Sequence, residues 1–565
     1  MKSSKILAVL LVLTFVFSSC NKEEAETEGT QIVLSDVGIT VNGETVSEDE
    51  ENEVYVAKDI VYYESGKDFT YGEGGEADSH SAEEADAHTV VHITKAGTYY
   101  ISGKLSKGQI AIDLGDDAKK NKDAVVTLVL DGVDVSCSVA PAVIFYNVYE
   151  CGDDETGTKD VDTASAGANV IIADDSVNNV NGSYVARIYE PGTVVLNQTG
   201  TEVVEADKLH KYDAAFYSKR SMNINGEEKN TGVLNITAEN EGLDSELHLT
   251  VNGGNINIVS GNDGINTNED GISVTTINGG NLNIKVSGET GEGDGIDSNG
   301  WLVINGGSVT ALACSKSADA GIDSDMGIHI NGGTVVATGS MLDRIEDGGQ
   351  NYAVFNFAQK QNGGEVIRFK NQNGDSVLET SPENAFSVLI YSSPDLKAGT
   401  YTLWSNDKQL QTSGGFAGGQ GGMRPDGGKP DGERPEPPDG QTPPDGQTSP
   451  DGQTPPEPPQ GEMPDGERPE PPQGEMPDGE RPEPPQGEMP DGERPEPPQG
   501  EMPDGERPEP PQGELPDGER PEPPQGELPD GQTPPQWNGN DGSTTTEPTT
   551  EFIIKDGGNM FGNIS

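Results

Sequence analysis

An Asn-Gly-Gly triplet returns at Asn252, Asn278, Asn305 and Asn331, at nearly equal steps of roughly 26 residues. A fixed period in this range marks a chain built by stacking one small unit on the next. Three and one positions before each Asn stand Leu249/Val251, Thr275/Ile277, Leu302/Ile304 and Ile328/Ile330. Four and six positions after it stand Ile256/Ile258, Leu282/Ile284, Val309/Ala311 and Val335/Ala337, with mostly polar residues between. This alternation predicts two short strands per copy, each with one face inward. The Gly pair supplies the corner between them. One copy holds too few apolar residues to make a core, but stacked copies place Ile, Val and Leu in continuous columns. A propeller blade needs about 40 residues and four strands. The period therefore predicts an all-β parallel β-helix, with regular coils over about 231–345.

A second signature travels with the first. "EGLDS" carries Glu241 and Asp244, "DGINT" carries Asp263 and Asn266, "DGIDS" carries Asp294 and Asp297, and "AGIDS" follows Asp319 and carries Asp323. In three copies the acid falls eight positions before the Asn (Asp244 to Asn252, Asp297 to Asn305, Asp323 to Asn331), and the second copy holds four extra residues with Glu269 and Asp270. Stacking about 4.8 Å apart would turn these positions into a ladder of oxygens. Carboxylates so close repel unless a cation or protons neutralise them. Calcium accepts oxygen ligands in flexible geometry, so the expected ligands are Asp244, Asp263, Asn266, Asp294, Asp297, Asp319 and Asp323. The competing reading is that Asp and Asn stand there only because they make good turns.

The rest of the chain divides by composition. Lys2 and Lys5, the apolar run Ile6–Phe17 and then "SSC" describe an export signal over 1–19, with Cys20 as the lipidated first residue of a surface lipoprotein. The run is short for a membrane span, which needs roughly 20 apolar residues. Residues 20–87 read as a tether and acidic segment, and 88–412 as the β-helix domain. Over 413–540, "PDGERPEPPQGEM" recurs in tandem, as at Met463 and again at Met476. Pro, Gly and Glu at that density predict a disordered, partly polyproline-II tail. Residues 541–565 regain apolar character, and whether they rejoin the fold stays open at this point.

Charge and motif usage narrow the function. With 35 Lys+Arg against 98 Asp+Glu, a formal net charge of −63 argues against nucleic acid, whose phosphates would be repelled. Cys137 and Cys151 are near enough in sequence that they could pair, while no CxxC suggests a zinc site. The six His do not cluster, and no nucleophile elbow or phosphate loop occurs. A lyase would need a base near a metal-bound uronate, and Lys285 and Lys316 are the weak candidates. Trp301 could stack on a sugar face or be partly buried at a corner.

The stretches "AGTYYISGKL", "VTLVLDGVDVSC", "YSKRSMNING", the "DGIN"/"DGID"/"NGG" series and "SSPDLKAGTYTLW" resemble a bacterial cell-surface carbohydrate-binding β-helix family with clostridial cellulose- and pectin-binding members. The resemblance covers roughly residues 88 to 407. It implies a right-handed parallel β-helix related to polysaccharide lyases, with bound calcium and affinity for cellulose and polygalacturonate, without established cleavage. Carried over, the "DGI" acids fall on Asp263 and Asp294, while Asp297 and Asp323 are this chain's own aligned acids. Glu241 and Leu243 in the first copy, and Ala320 between Asp319 and Gly321 in the fourth, depart from the pattern. The resulting expectation is a monomeric, lipid-anchored protein on the extracellular face of a bacterial membrane. It would bind polysaccharide with calcium; a lyase and an adhesive surface protein are the alternatives.

Overall fold

The computed structural model describes residues 29–152, 156–413 and 547–565. Nearly all of its regular elements are strands. The helical exceptions are Ala82–Asp86, started by a Ser81/Glu84 capping box, and the 3-10 turn Asp116–Lys120. The fold is all-β, as the alternation predicts. Among the described residues no helix is long and apolar enough to cross a membrane.

The repeat copies lie side by side in parallel register. Before each Asn-Gly-Gly, strands His248–Val251, Val274–Ile277, Trp301–Ile304 and Gly327–Ile330 form one stack, with Val251, Ile277, Ile304 and Ile330 as successive partners. After it, Asn255–Ser260, Asn281–Val286, Ser308–Leu312 and Thr334–Gly339 form a second, aligning Ile256, Leu282, Val309 and Val335. A third line, not drawn as strands from the sequence, joins Phe216, Leu243, Ile265, Ile296 and Ile322 through parallel pairs and single bridges. All of these side chains are buried in one apolar cluster. Each Ile or Leu so buried contributes about 1.5–3 kcal/mol.

The stacking also reaches beyond the regular copies. Val126–Ser136 pairs with Ala168–Ile172 at one end and Val177–Gly182 at the other. Ala168–Ile172 then pairs with Met222–Gly226. The steps from Val126 to Ala168 to Met222 are longer than those of the regular copies and hide the repeat; in the second, the antiparallel pair Val185–Tyr189 with Lys208–Tyr212 fills the interval. Thr30–Leu34 adds in parallel to Gly97–Leu105, and Ile32, Leu34, Val54 and Tyr63 enter the same core. Part of the acidic segment before residue 88 therefore shares that core.

At the other end the direction reverses. Phe386–Ser392 lies antiparallel to Thr334–Gly339, and a separate aromatic core gathers Phe355, Phe369, Phe386 and Phe552. The final residues do rejoin the fold. Gly558–Ile564 runs parallel to Tyr352–Gln361, and Phe552–Ile554 pairs with Gly399–Ser405. Thr412 and Thr549 bridge each other, while the Pro-rich repeats and Cys20 lie outside the described residues. Cys137, Cys151 and Cys314 are free thiols, so the pairing that the spacing allowed is not formed.

The Asn-Gly-Gly corner has a steric reason. Gly280 has φ +87°, and a Cβ there would sit 2.7 Å from the Gly254 carbonyl oxygen of the preceding copy. Gly280→Ala combines left-handed strain with a backbone clash, for an expected loss of about 1–3 kcal/mol. A lowered thermal unfolding midpoint would show it, and an unchanged one would remove the corner from the list of constraints.

Candidate functional site at the acidic corner

The "DGI" segments form the third line, and their acids separate into distinct environments. The carboxylates of Asp294, Asp297 and Asp323 bring one oxygen each to within 4.8 Å of one another, and all three are half-buried. Register explains the meeting: Ile296 and Ile322 are bridged, so the following Asp297 and Asp323 stack. Asp294 enters from the start of the same segment. Its Oδ1 accepts the Ala320 N–H, just as Asp263 Oδ1 accepts the Asp294 N–H at 2.6 Å.

The other expected ligands are held elsewhere. Asp244 is fully buried and takes both carboxylate oxygens to Asn268 Nδ2 at 3.0 Å. Asp319 accepts from Ser317 and from the Gly293 N–H. Asn266 donates to Glu241 Oε1 at 3.2 Å, leaving buried Glu241 Oε2 and Asn266 Oδ1 with no partner among the described residues. Beside Glu241 lie Asp213, paired with Lys211, and these two were not singled out from the sequence. Asp213 precedes the Ala214–Ser218 strand, which aligns with Glu241–Ser245 but carries no Asn-Gly-Gly to reveal the alignment.

This crowding has an electrostatic consequence. Burial, followed by Asp263, Asp323 and Asp297, raises the Asp294 carboxyl well above the usual range. Burial, with Asp343, Asp297 and Asp325, pushes Asp323 up to about 7. Burial likewise lifts Asp263 to about 7 against the opposing Asp294 hydrogen bond. Close, partly desolvated oxygens with unsatisfied neighbours suit a hard divalent cation, which would replace protons as the source of neutrality.

Asparagine ladders were not anticipated as interactions, although their residues lie in plain view. The repeat Asn residues donate along the stack, Asn331 to Asn305, Asn305 to Asn278, Asn278 to Asn252 and Asn252 to Asn225, at 2.9–3.0 Å. A second line on the outer face of the second stack runs from Asn283 to Asn257, Asn235 and Asn179. Asn281 joins Asn255 at 2.7 Å beside it. Asn281 and Asn283 are exposed, giving an uncharged amide surface in a strongly acidic chain.

Comparison with known proteins bears on this region. Residues 87–350 match the model of a family described as carbohydrate-binding domain-containing protein. That span includes every repeat copy and all the acids of the corner. No curated protein matches the chain. Among solved structures, the chain is similar to the polysaccharide lyase-like protein from C. thermocellum in its gadolinium derivative. The two share 19% sequence identity over 54% of this chain and 90% of that one, with a TM-score of 0.31.

The remaining candidates are less available. Lys285 is ion-paired with Glu383, and Lys316 Nζ donates to the Gly288 carbonyl at 2.6 Å. Trp301 is half-buried, and a Cβ on Gly157 would lie 2.9 Å from its ring. Residues 150–152 and 156–163 thus lie against the first stack, where Gly157 meets Trp301 and a Cβ on Gly152 would meet His248. Glu150 Oε2 accepts the Ser221 N–H, and Thr163 Oγ1 lies 2.7 Å from both Asn223 Oδ1 and Thr250 Oγ1.

His248 is buried here, with neither ring nitrogen hydrogen-bonded among the described residues. Burial lowers its pKa from 6.5, opposed by the Glu150 charge. A depressed folded-state value means that its stabilising contribution is present above about pH 6.5 and is lost as pH falls. His248 should therefore contribute a loss of stability on acidification below about pH 6.5. Asp263, Asp294 and Asp323 oppose it, since their raised carboxyls gain stability as they take up protons. Comparing thermal midpoints of the parent and His248→Leu across pH isolates the histidine component. An unaltered pH profile in the variant would contradict it.

Proposed function

We propose that this chain binds polysaccharide at the cell surface through a calcium ion held at the corner of Asp294, Asp297 and Asp323. The three converging carboxylates carry the reading. The family match over 87–350 supports a carbohydrate as the partner. The parallel registers between successive copies support a right-handed parallel β-helix as the scaffold, since parallel crossovers are nearly always right-handed. Calcium would neutralise the corner and leave coordination positions for uronate oxygens of an acidic polymer such as polygalacturonate. Asp294 and Asp263 would keep their backbone hydrogen bonds, fixing the segments that present Asp297 and Asp323. Cys20 would carry the lipid that tethers the protein to the outer face of a bacterial membrane.

Co-sedimentation of the full chain with polygalacturonate, with calcium and then with a chelator, tests this reading. Retention should require calcium. Asp294→Asn with Asp297→Asn should weaken calcium binding at least about ten-fold, because affinity follows ligand charge. Retention that survives the chelator and both substitutions would sink the calcium corner. Growth of unsaturated sugar ends during incubation would instead make the chain a lyase.

A further inference from the structure

Far from the acidic corner in sequence, residues 60–71 and 188–209 enclose a groove of about 740 Å³. We propose that it is a second, calcium-independent carbohydrate site, for an uncharged hexopyranose chain. The two segments are tied together by backbone: Tyr189 N–H donates to the Tyr71 carbonyl, Glu73 N–H to the Arg187 carbonyl, and Gly72 bridges Ile188. The groove is thus supported by hydrogen-bonded chain on both sides. Residues 60–71 precede the span matched by the family model, so the groove is partly built from sequence outside that span.

Its lining combines two chemistries. Tyr62, Tyr71 and Tyr189 present partly buried rings, and Leu209 adds an apolar side chain that is 51% exposed. Tyr71 packs edge-on against buried Tyr63, with centroids 5.0 Å apart, and Tyr63 in turn donates to the Gly74 carbonyl. The Tyr71 ring therefore has a fixed backing. Glu64, Asp68 and Thr70 belong to the same lining, with Asp68 Oδ1 accepting from Thr70 and Glu64 Oε2 paired with Lys67. A pyranose has an apolar C–H face and a rim of hydroxyls, so rings with interspersed oxygen acceptors match both parts of it.

Charge selects among possible occupants. Among the described residues lining the groove, Lys67 is the one cation; it is paired with Glu64 at 2.8 Å and lies 5.1 Å above the Tyr71 ring. An acidic polymer would meet Glu64 and Asp68 without an uncommitted cation in that lining to offset them. The chain's own tandem repeat, "PDGERPEPPQGEM", has the proline content that aromatic grooves accept, but carries four acids against one Arg. Charge disfavours it here for the same reason. A neutral sugar chain avoids the repulsion and still uses the acceptors.

The test is calorimetric titration of the full chain with cellohexaose in the presence of a chelator. Saturable binding is expected, unchanged by Asp294→Asn. Tyr189→Ala and Tyr62→Ala should each weaken it about ten-fold, while Tyr189→Phe retains it because the ring remains. Hydrogen exchange on the unaltered protein gives a second readout: cellohexaose should protect residues 60–72 and 187–194. Absence of binding, alanine variants that bind as the parent does, or protection elsewhere would overturn the proposal. Tyr189-dependent binding of the peptide PDGERPEPPQGEM in place of cellohexaose would do the same. Polygalacturonate titrated with calcium reports separately on the corner, so failure at one site is not mistaken for failure at the other.

Discussion

Parallel register is the constraint on which the rest of this structure depends. When equivalent residues of successive copies are hydrogen-bonded neighbours, each side chain meets its own kind about 4.8 Å away. For apolar residues this is favourable, and the line Ile277–Ile304–Ile330 is simply buried. For asparagine it is also favourable, because an amide is both donor and acceptor and can continue a chain indefinitely. The line from Asn225 through Asn252, Asn278 and Asn305 to Asn331 is the result. For carboxylates the same geometry is costly, since an ionised acid only accepts.

The acids of the third line show several ways around that cost. Asp263 and Asp294 each accept a backbone N–H from the neighbouring copy. Asp244 faces an asparagine amide, and Asp213 takes Lys211 as its counter-charge. Asn266 replaces an acid altogether, aligned with Asp244. At Asp294, Asp297 and Asp323 the acids converge, and the raised pKa values of Asp294 and Asp323 express what the neighbours have not neutralised. The corner is therefore where the stacking leaves the most carboxylate charge uncompensated.

Legibility in the sequence followed the same logic. The Asn-Gly-Gly period exposed two strand lines and the inward residues Leu282 and Val309, because the spacing there is nearly constant. It also brought Asp297 and Asp323 into alignment correctly. Upstream, the longer steps from Val126 to Ala168 to Met222 carry the same parallel pairing with no visible period, since insertions lengthen the connection without disturbing the strands. Thr30–Leu34 was not read as core although its run Ile32–Val33–Leu34 buries Ile32 and Leu34, because the acidic composition around it masks so short a strand. Tyr352–Gln361 pairs on one side with Phe386–Ser392 and on the other with Gly558–Ile564, which lies on the far side of the Pro-rich repeats in sequence and beyond the reach of any local pattern. The Asn lines were visible as letters and were read as polar alternation. Only the register turns alternation into hydrogen bonds.

The distribution of charge around the stacked copies follows from where each outer face is needed. On the second stack, Asn255, Asn257, Asn281 and Asn283 point outward, and the nearby charge Lys285 is matched by Glu383 from the closing segment. On the first stack, Thr163 meets Thr250 and Gly152 lies against His248, so polar side chains there are buried by added chain. The third line alone concentrates acids at successive copies. A chain with formal net charge −63 already repels itself, and clustering more acids would be the least stable placement unless a multivalent cation were shared among them. Concentration at one corner, with uncharged or covered strand lines elsewhere, leaves the local repulsion to be met by the backbone hydrogen bonds of Asp263 and Asp294 and by the raised carboxyls of Asp294 and Asp323.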